Sequence, residues 1–390
     1  MTSYRATSAE INLEAFRHNL RTIKCLVGPT AATMAVVKAD AYGHGAIPCA
    51  RAALEEGVDY LGVGIIKEGI ELRESGITSP ILILGGIHPN EAEDLIEHNL
   101  STSLSTPALA HTISKQAERF GKKVGVHIKV DTGMGRLGVQ PEKFSCLLAD
   151  IMKYKNLQIE GIFTHLACAD EEDPEKTRSQ ILRFSMILKE LQAENLSKPL
   201  NAKGILLFHS ANTAGLLRFP ESRFNMIRPG ISLYGSLPSP ILHPAFDALV
   251  KEKGLAKLRP VMCWKTKIIQ VQTLQKGTPV SYGGRHVTQK DSLIATLPVG
   301  YADGLSRRLS NNMELLVKGK RVKQVGTICM DMCLVDVTDI PEIAMDEEAV
   351  IFGSQGKAQI QVEELAAQAE TIPYEILCGV GKRVPRIYIS

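Results

Sequence analysis

The chain has no apolar stretch approaching the ~20 residues that a membrane-spanning helix requires, so no bilayer span is expected. It has no basic tract, and 45 Lys+Arg against 42 Asp+Glu leave a net charge of +3. Such a mixed surface offers no directing field to nucleic acid or to a membrane. Its eight cysteines follow neither a disulfide-framework rhythm nor a zinc-type spacing. In a chain of 390 residues they read as free thiols of a reducing compartment. The opening MTSYRATSAEINLEAF lacks a charged segment followed by an apolar one, so no secretory signal is expected and the cytoplasm is the default location. Low-complexity segments and solenoid repeats are also missing.

What is present is a globular balance, 44% hydrophobic and 22% charged, in a chain long enough for two domains or one with a sizeable core. Through the first ~240 residues, short apolar runs alternate with amphipathic stretches, the pattern of repeated βα units. The runs are TMAVV, YLGVG, ILILG, STSLS, VHIKV, IEGIFTH, GILLFH and FNMI. Between them the spacing is helical: in PEKFSCLLADIMKY, Phe144, Leu147, Leu148 and Ile151 share one face. About eight such units predict a (β/α)8 barrel. A doubly wound open sheet is the alternative, but no GxGxxG follows the first strand.

After Tyr234 the texture changes. Pro238, Pro240 and Pro244 punctuate a linker-like segment, and KTKIIQVQTL, SLIATLPVG, MELLVKG, CLVDVT and AVIFG then alternate with turn signals. The expectation is an α/β fold: an N-terminal (β/α)8 TIM barrel over 1–240, then a mainly-β C-terminal domain over 241–390 broken by one helix around VEELAAQAE.

In a barrel, the residues just after each strand carry the chemistry. Lys38 ends the apolar run Thr33–Val37, followed by Tyr42 and His44. A lysine there is either a solvated charge or a partly desolvated amine nucleophile. VHIKVDTGMGRLG delivers Lys129, Asp131 and Arg136; IFTHLACAD delivers His165; ILLFHSANTAG delivers His209, Ser210, Asn212 and Thr213; FNMIRPGISLYG delivers Arg228, Gly230 and Ile231. Singly, His165 reads as a core histidine, Arg136 as a solvated charge, and Asn212 and Thr213 as helix caps. Jointly they fall on one rim. The segments around Thr213 and Gly230–Ile231 suggest a phosphate site, where barrels commonly place one. A mouth lysine opposite a phosphate site suits pyridoxal 5′-phosphate, with Arg228 the partner of its pyridine nitrogen. An arginine can only donate, so that nitrogen stays unprotonated and the ring withdraws fewer electrons. This favours returning a proton to the same carbon.

The sequence strongly resembles bacterial alanine racemases. AVVKADAYGHG matches the family's cofactor-attachment motif, and the resemblance extends through HIKVDTGMGRLG, THLACAD, HSANTAG, FNMIRPGISLYG, VSYGG, LPVGYADG, GTICMDM and IPYEILCGVGKRVPRIY. The resemblance implies that Lys38 holds the cofactor and acts as base on the D-alanine side. It implies that Tyr282 is the opposite base, reaching the site from the other subunit of a homodimer. Arg136 is similar to the arginine near the cofactor's phenolic oxygen and the substrate carboxylate. Tyr42 and Tyr374 match phosphate-contacting tyrosines, with Asn212, Thr213, Gly230 and Ile231 beside them. Arg228 matches the arginine at the pyridine nitrogen, and His165 the histidine linking it to the catalytic tyrosine. Met330 matches a substrate-carboxylate contact from the partner chain, and Tyr301 a residue lining the approach. Lys129 stands where many members carry a carbamylated lysine; an ordinary lysine paired with Asp131 is the alternative. Thr213 replaces a common serine, and ICMDM ends in methionine where glutamine is frequent.

The activity implied is interconversion of L- and D-alanine, supplying D-alanine for peptidoglycan, with a small amino acid as substrate and no metal. A racemase of serine, lysine or several amino acids is a second reading. A single-domain pyridoxal-phosphate-binding protein lacks a counterpart to the region after ~240. A decarboxylase calls for an acidic partner where Arg228 stands.

Overall fold

The computed structural model describes residues 5–193 and 206–390. After a first strand, β1 (Ser8–Asn12), eight strands run parallel: β2 (Ala32–Val36), β3 (Tyr60–Val63), β4 (Ile81–Ile83), β5 (Ser101–Leu104), β6 (Val124–Lys129), β7 (Leu157–Phe163), β8 (Leu207–His209) and β9 (Met226–Ile227). The order is β8-β7-β6-β5-β4-β3-β2-β9: β2 to β8 each pair with their sequence neighbours, and the last strand, β9, returns to pair with β2, the first of the set. These are the eight runs read from the sequence; Gly204 and Ile205 of GILLFH lie outside the described residues, as does Met1–Tyr4 of the opening segment. The barrel is nearly closed. Between β8 and β9 the Asn225 side chain replaces a ladder: its Oδ1 accepts from Phe208 N at 2.6 Å and its Nδ2 donates to Leu206 O at 2.9 Å.

The strands are largely apolar because helices cover the outside and side chains fill the inside, although β5, β6 and β8 also carry buried polar residues such as Thr102, His127 and His209. Helix Phe144–Met152 buries Phe144, Leu147, Leu148 and Ile151, the four that share a face in sequence. The first barrel strand stops at Val36, two residues before Lys38, rather than at the lysine itself.

The second sheet collects β10 (Met262–Lys267), β11 (Gln270–Leu274), β14 (Ser292–Leu297), β15 (Glu314–Val317), β16 (Lys320–Val325), β17 (Cys333–Asp336), β18 (Glu348–Gln355), β19 (Ala358–Ile360) and β20 (Arg386–Ile389), with β12 (Pro279–Val280) and β13 (His286–Val287) paired separately. Its path is β11-β14-β17-β16-β15-β18-β10-β1-β20, with β19 on β18. Four expectations differ here. The single run KTKIIQVQTL is two strands, because the chain turns at Ile268–Ile269 and the halves join distant parts of the sheet. The N-terminal strand β1 belongs to this sheet, antiparallel to β10 and parallel to β20, with Ala9 and Ile11 fully buried. The linker-like segment carries helix Leu242–Glu252, whose Leu242, Phe246 and Val250 pack with Leu216, Leu217 and Phe219. A second helix, Pro373–Gly379, follows Val362–Gln368, its proline in the first turn where no amide donor is needed.

Candidate active site

After Val37 the backbone turns left-handed. Ala39, Asp40, Ala41 and Tyr42 all have φ of 52–53°, a conformation costing roughly 1–2 kcal/mol per non-glycine residue. Surrounding contacts hold it. Glu68 Oε1 accepts from Ala39 N at 2.6 Å, Asp40 Oδ1 accepts from Ala46 N at 2.7 Å, and the Arg386 guanidinium of β20 donates to Gly43 O at 2.9 Å. The turn lifts the Lys38 side chain out of the strand into the cleft while Tyr42 swings back into the core. Glu68 escaped the sequence reading, although its signal is ordinary: it is the acidic third residue of helix Ile66–Glu74, and its Oε2 also accepts from Gly64 N at 2.7 Å.

A cavity of about 730 Å³ opens at the barrel mouth and gathers Lys38, Tyr42, Lys129, Arg136, His165, Asn212, Thr213, Arg228, Gly230 and Tyr374. Ile231, next to Gly230 in the chain, is fully buried and does not line the cavity. The cavity is electropositive. Desolvation first, and Arg136 second, push the Lys38 ammonium below its ordinary pKa, although Glu68 works against them. Burial, then Arg136, Arg228 and Lys38, lower Lys129 to about 8. Its ammonium lies over the Phe163 ring, 5.3 Å from the centroid. Asp131, the partner of Lys129 in the alternative reading, accepts at Oδ1 from the N–H groups of Gly133, Met134 and Gly135 at 3.0, 2.8 and 3.1 Å. It shapes the loop that carries Arg136.

Arg228 is buried, and burial lowers it to about 9. One guanidinium nitrogen donates to His209 Nδ1 at 2.7 Å; the other donates to Thr164 O at 2.9 Å and Ser210 O at 3.0 Å and faces His165 Nδ1 at 3.4 Å. Burial first, then Arg228 and Arg136, keep His165 neutral well below its usual range. Because arginine only donates, a neutral His165 accepting at Nδ1 carries its hydrogen on Nε2.

Thr213, Gly230 and Tyr42 converge in the cavity that Lys38 also lines. Gly230 N donates to Thr213 Oγ1 at 3.1 Å, and Thr213 Oγ1 meets Ser232 Oγ at 3.1 Å. A Cβ at Gly230 would stand 2.6 Å from the Tyr42 hydroxyl, so only glycine leaves this hollow open. Asn212 is the N-cap of helix Thr213–Arg218, its Oδ1 accepting from Gly215 N at 2.9 Å. The Tyr42 and Tyr374 rings pack 5.7 Å apart, and burial raises both phenols well above the usual range.

Tyr282, Tyr301 and Met330 do not line this cavity. They stand 72%, 43% and 53% exposed on the second unit, on loops bonded to one another. Ser281 Oγ donates to Thr327 O at 2.6 Å, Thr327 Oγ1 donates to Tyr282 O at 2.8 Å, and Tyr301 N donates to Cys329 O at 3.0 Å.

Two family models match the chain: the alanine racemase N-terminal domain over residues 11–238 and the alanine racemase C-terminal domain over 261–388. The chain belongs to the alanine racemase family. It is 43% identical over 383 residues to the alanine racemase of Desulforamulus reducens, covering 98% of each chain. It is 40% identical to that of Methanococcus maripaludis, again over 98% of each. Among solved structures, alanine racemase from Clostridium difficile 630 superposes with a TM-score of 0.89 at 38% identity, over 100% of this chain and 97% of that one. The Bacillus anthracis alanine racemase with bound L-Ala-P superposes with a TM-score of 0.89 at 34% identity, over 100% and 96%. The racemase family thus shares both the nearly closed barrel and the mainly-β unit with this chain.

Proposed function

We propose that the chain interconverts L- and D-alanine with pyridoxal 5′-phosphate, as a homodimer. The observation that carries this is the joint placement of Lys38, Arg228 and the Thr213–Gly230–Tyr42 hollow around one electropositive cavity. The donor set fits the cofactor: an amine of lowered pKa for its aldehyde, hydroxyl and amide donors for its phosphate, and a donor-only guanidinium for its ring nitrogen. When bound, that group supplies an electron-withdrawing ring that acidifies the α-hydrogen of the amino acid.

The protein's own residues do the rest. Lys38, whose surroundings favour the free amine, moves the proton on the D face of the alanine Cα. Tyr282 of the partner subunit moves it on the L face, and one base must be protonated when the other is free. His165, which accepts from Arg228 at Nδ1 and so keeps its hydrogen on Nε2, is assigned to link that arginine to the partner's tyrosine. Arg136 binds the substrate carboxylate with Met330 of the partner subunit, and Tyr301 and Tyr374 narrow the approach to a small side chain. Tyr42 and Tyr374 steady the phosphate beside Thr213, Gly230 and Ile231, and Asn212 holds the helix start behind it.

The dimer rests on Tyr282: it is exposed, and it is not among the residues lining its own chain's cavity. Lys129 is proposed to carry a carbamate, because its lowered pKa leaves free amine near neutral pH and a carbamate would set an anion beside Arg136. The division of labour is proposed near residue 240, with 1–240 binding the cofactor and 241–390 supplying the second base. No helix among the described residues is long and apolar enough to cross a membrane. The cytoplasm suits the eight free cysteines, and the D-alanine made there would supply peptidoglycan.

The test is purified protein with added cofactor and L-alanine, followed by chiral chromatography, with serine and lysine in parallel. D-alanine forming fastest supports the reading. A side chain larger by one group is disfavoured by only ~1–3 kcal/mol, so slow serine turnover is expected. No racemisation of any of them, with cofactor bound, removes the two-base assignment.

A further inference from the structure

TIM-barrel interiors are normally filled by layers of branched apolar side chains. Here a polar column runs inward from the mouth. Arg228 donates to His209 Nδ1 at 2.7 Å, His209 Nε2 meets His127 Nδ1 at 2.9 Å, and His127 Nε2 faces Glu160 Oε2 at 3.8 Å. Ser101 Oγ donates to the same carboxylate oxygen at 2.8 Å. Both histidines are 0% exposed, and His127 Nε2 has no hydrogen-bond partner. An orphaned polar atom in a core calls for an explanation.

The column has one possible direction. Arginine has no acceptor, so His209 Nδ1 must accept and its hydrogen sits on Nε2. That hydrogen points to His127 Nδ1, which leaves His127 with its own hydrogen on Nε2, aimed at the carboxylate. Aromatic neighbours pack against both rings. The Phe163 ring stacks on His209 at 4.7 Å with planes 7° apart, and Tyr60 meets His127 edge-on at 5.8 Å. The space is built for it: the pairing of β6 with β7 shifts register between Val126 and His127, and any side chain at Gly161 would collide with the His127 ring. Burial foremost, with Arg228 adding to it, keeps both rings neutral, His127 at about 3 and His209 well below its ordinary value.

We propose that His209, His127 and Glu160 are positioning residues for Arg228: a one-way chain of two neutral imidazoles fixes the guanidinium plane and sets its counter-charge at a distance. A carboxylate in direct contact would draw the guanidinium toward itself and cancel its charge. Two neutral rings between them hold the orientation and leave the cation facing the cofactor's ring nitrogen. This inference rests on the reading of Arg228 given above.

The test combines two measurements on the cofactor-loaded protein. Nitrogen-15 NMR of the histidine side chains, assigned with His127→Gln and His209→Gln, is expected to show both rings as neutral Nε2–H tautomers from about pH 5.5 to about pH 8.5, a range in which an ordinary histidine titrates. Glu160→Gln keeps the shape and removes the charge. It is expected to lower kcat on the order of tenfold with KM changed less than about twofold, and to shift the bound cofactor's absorption band. An Nδ1–H tautomer on either ring overturns the column, as does a folded Glu160→Gln with kcat and band unchanged. If Glu160→Gln does not fold, the tautomers of the unsubstituted protein decide. Failure of the racemase reading is separate: it would appear as absent alanine turnover in the unsubstituted protein, whatever the tautomers.

Discussion

Thr327 Oγ1 donates to the backbone carbonyl of Tyr282 at 2.8 Å, while the Thr327 carbonyl accepts from Ser281 Oγ at 2.6 Å. Ser281 itself has φ +62° and ψ −173°, a region nearly reserved for glycine and costing on the order of 1–3 kcal/mol. The proposed second base is therefore displayed on a strained residue latched at two points. Ser281→Ala keeps the strain and loses the latch. It is expected to lower kcat about tenfold with little change in KM, read by steady-state kinetics in both directions. Ser281→Gly relieves the strain, so its thermal midpoint should lie above that of Ser281→Ala. The reverse order would mean the backbone here is not strained.

Lys38 should be irreplaceable as the covalent anchor. Lys38→Ala is expected to lose at least ~10³-fold in racemase rate and to lose cofactor trapping by borohydride. Partial rescue by a small alkylamine would identify the missing group as an amine. Retained trapping in Lys38→Ala would move the attachment to another lysine, and Lys129 also lines the cavity.

A shared site makes a quantitative demand. Lys38→Ala and Tyr282→Phe homodimers should each be nearly inactive. Mixed by unfolding and refolding, half of the dimers become hybrids with one intact site of two, so about one quarter of the unsubstituted activity returns. Two inactive variants that never complement would place Tyr282 and Lys38 in the same chain's site and remove the dimer argument.

Lys129 carries a pH prediction. With its folded value at about 8 against an ordinary 10.5, roughly a tenth of it is free amine at pH 7, about three hundredfold more than an unperturbed lysine offers. Carbon-13 bicarbonate should therefore produce a carbamate resonance that disappears in Lys129→Ala. The linkage sign follows for the unmodified lysine. Between about 8 and 10.5 the unfolded chain binds more protons than the folded one, so this lysine adds stability as pH rises through that window and adds nothing further above it. Denaturant midpoints across that range, with and without Lys129→Ala, check the direction.

Much of the architecture was legible because the barrel strands are continuous apolar runs and barrel chemistry gathers at strand ends. Thr33–Val37 and the residues after VHIKV, IFTH and ILLFH needed only period and position. Other features had no local signature. β1 looks like any short alternating segment, and its place between β10 and β20 depends on partners more than 240 residues away. KTKIIQVQTL has uniform strand character, so the turn at Ile268–Ile269 is invisible until its halves find different neighbours. The helix Leu242–Glu252 hid behind prolines that only precede it or sit in its first turn.

The sequence by itself determined the kinds of groups available: an amine after the first barrel strand, a donor-only cation near the last, and a hydroxyl and a glycine on either side of that cation in the chain. These follow from residue type and strand period, which are local. Only the tertiary structure decided which of them share a cavity, that Tyr282 stands outside it, and that His209 and His127 align behind Arg228. Lowered pKa values, tautomers and one-way hydrogen-bond chains arise from burial and distance between residues far apart in the chain, and those quantities exist only once the barrel has closed around them.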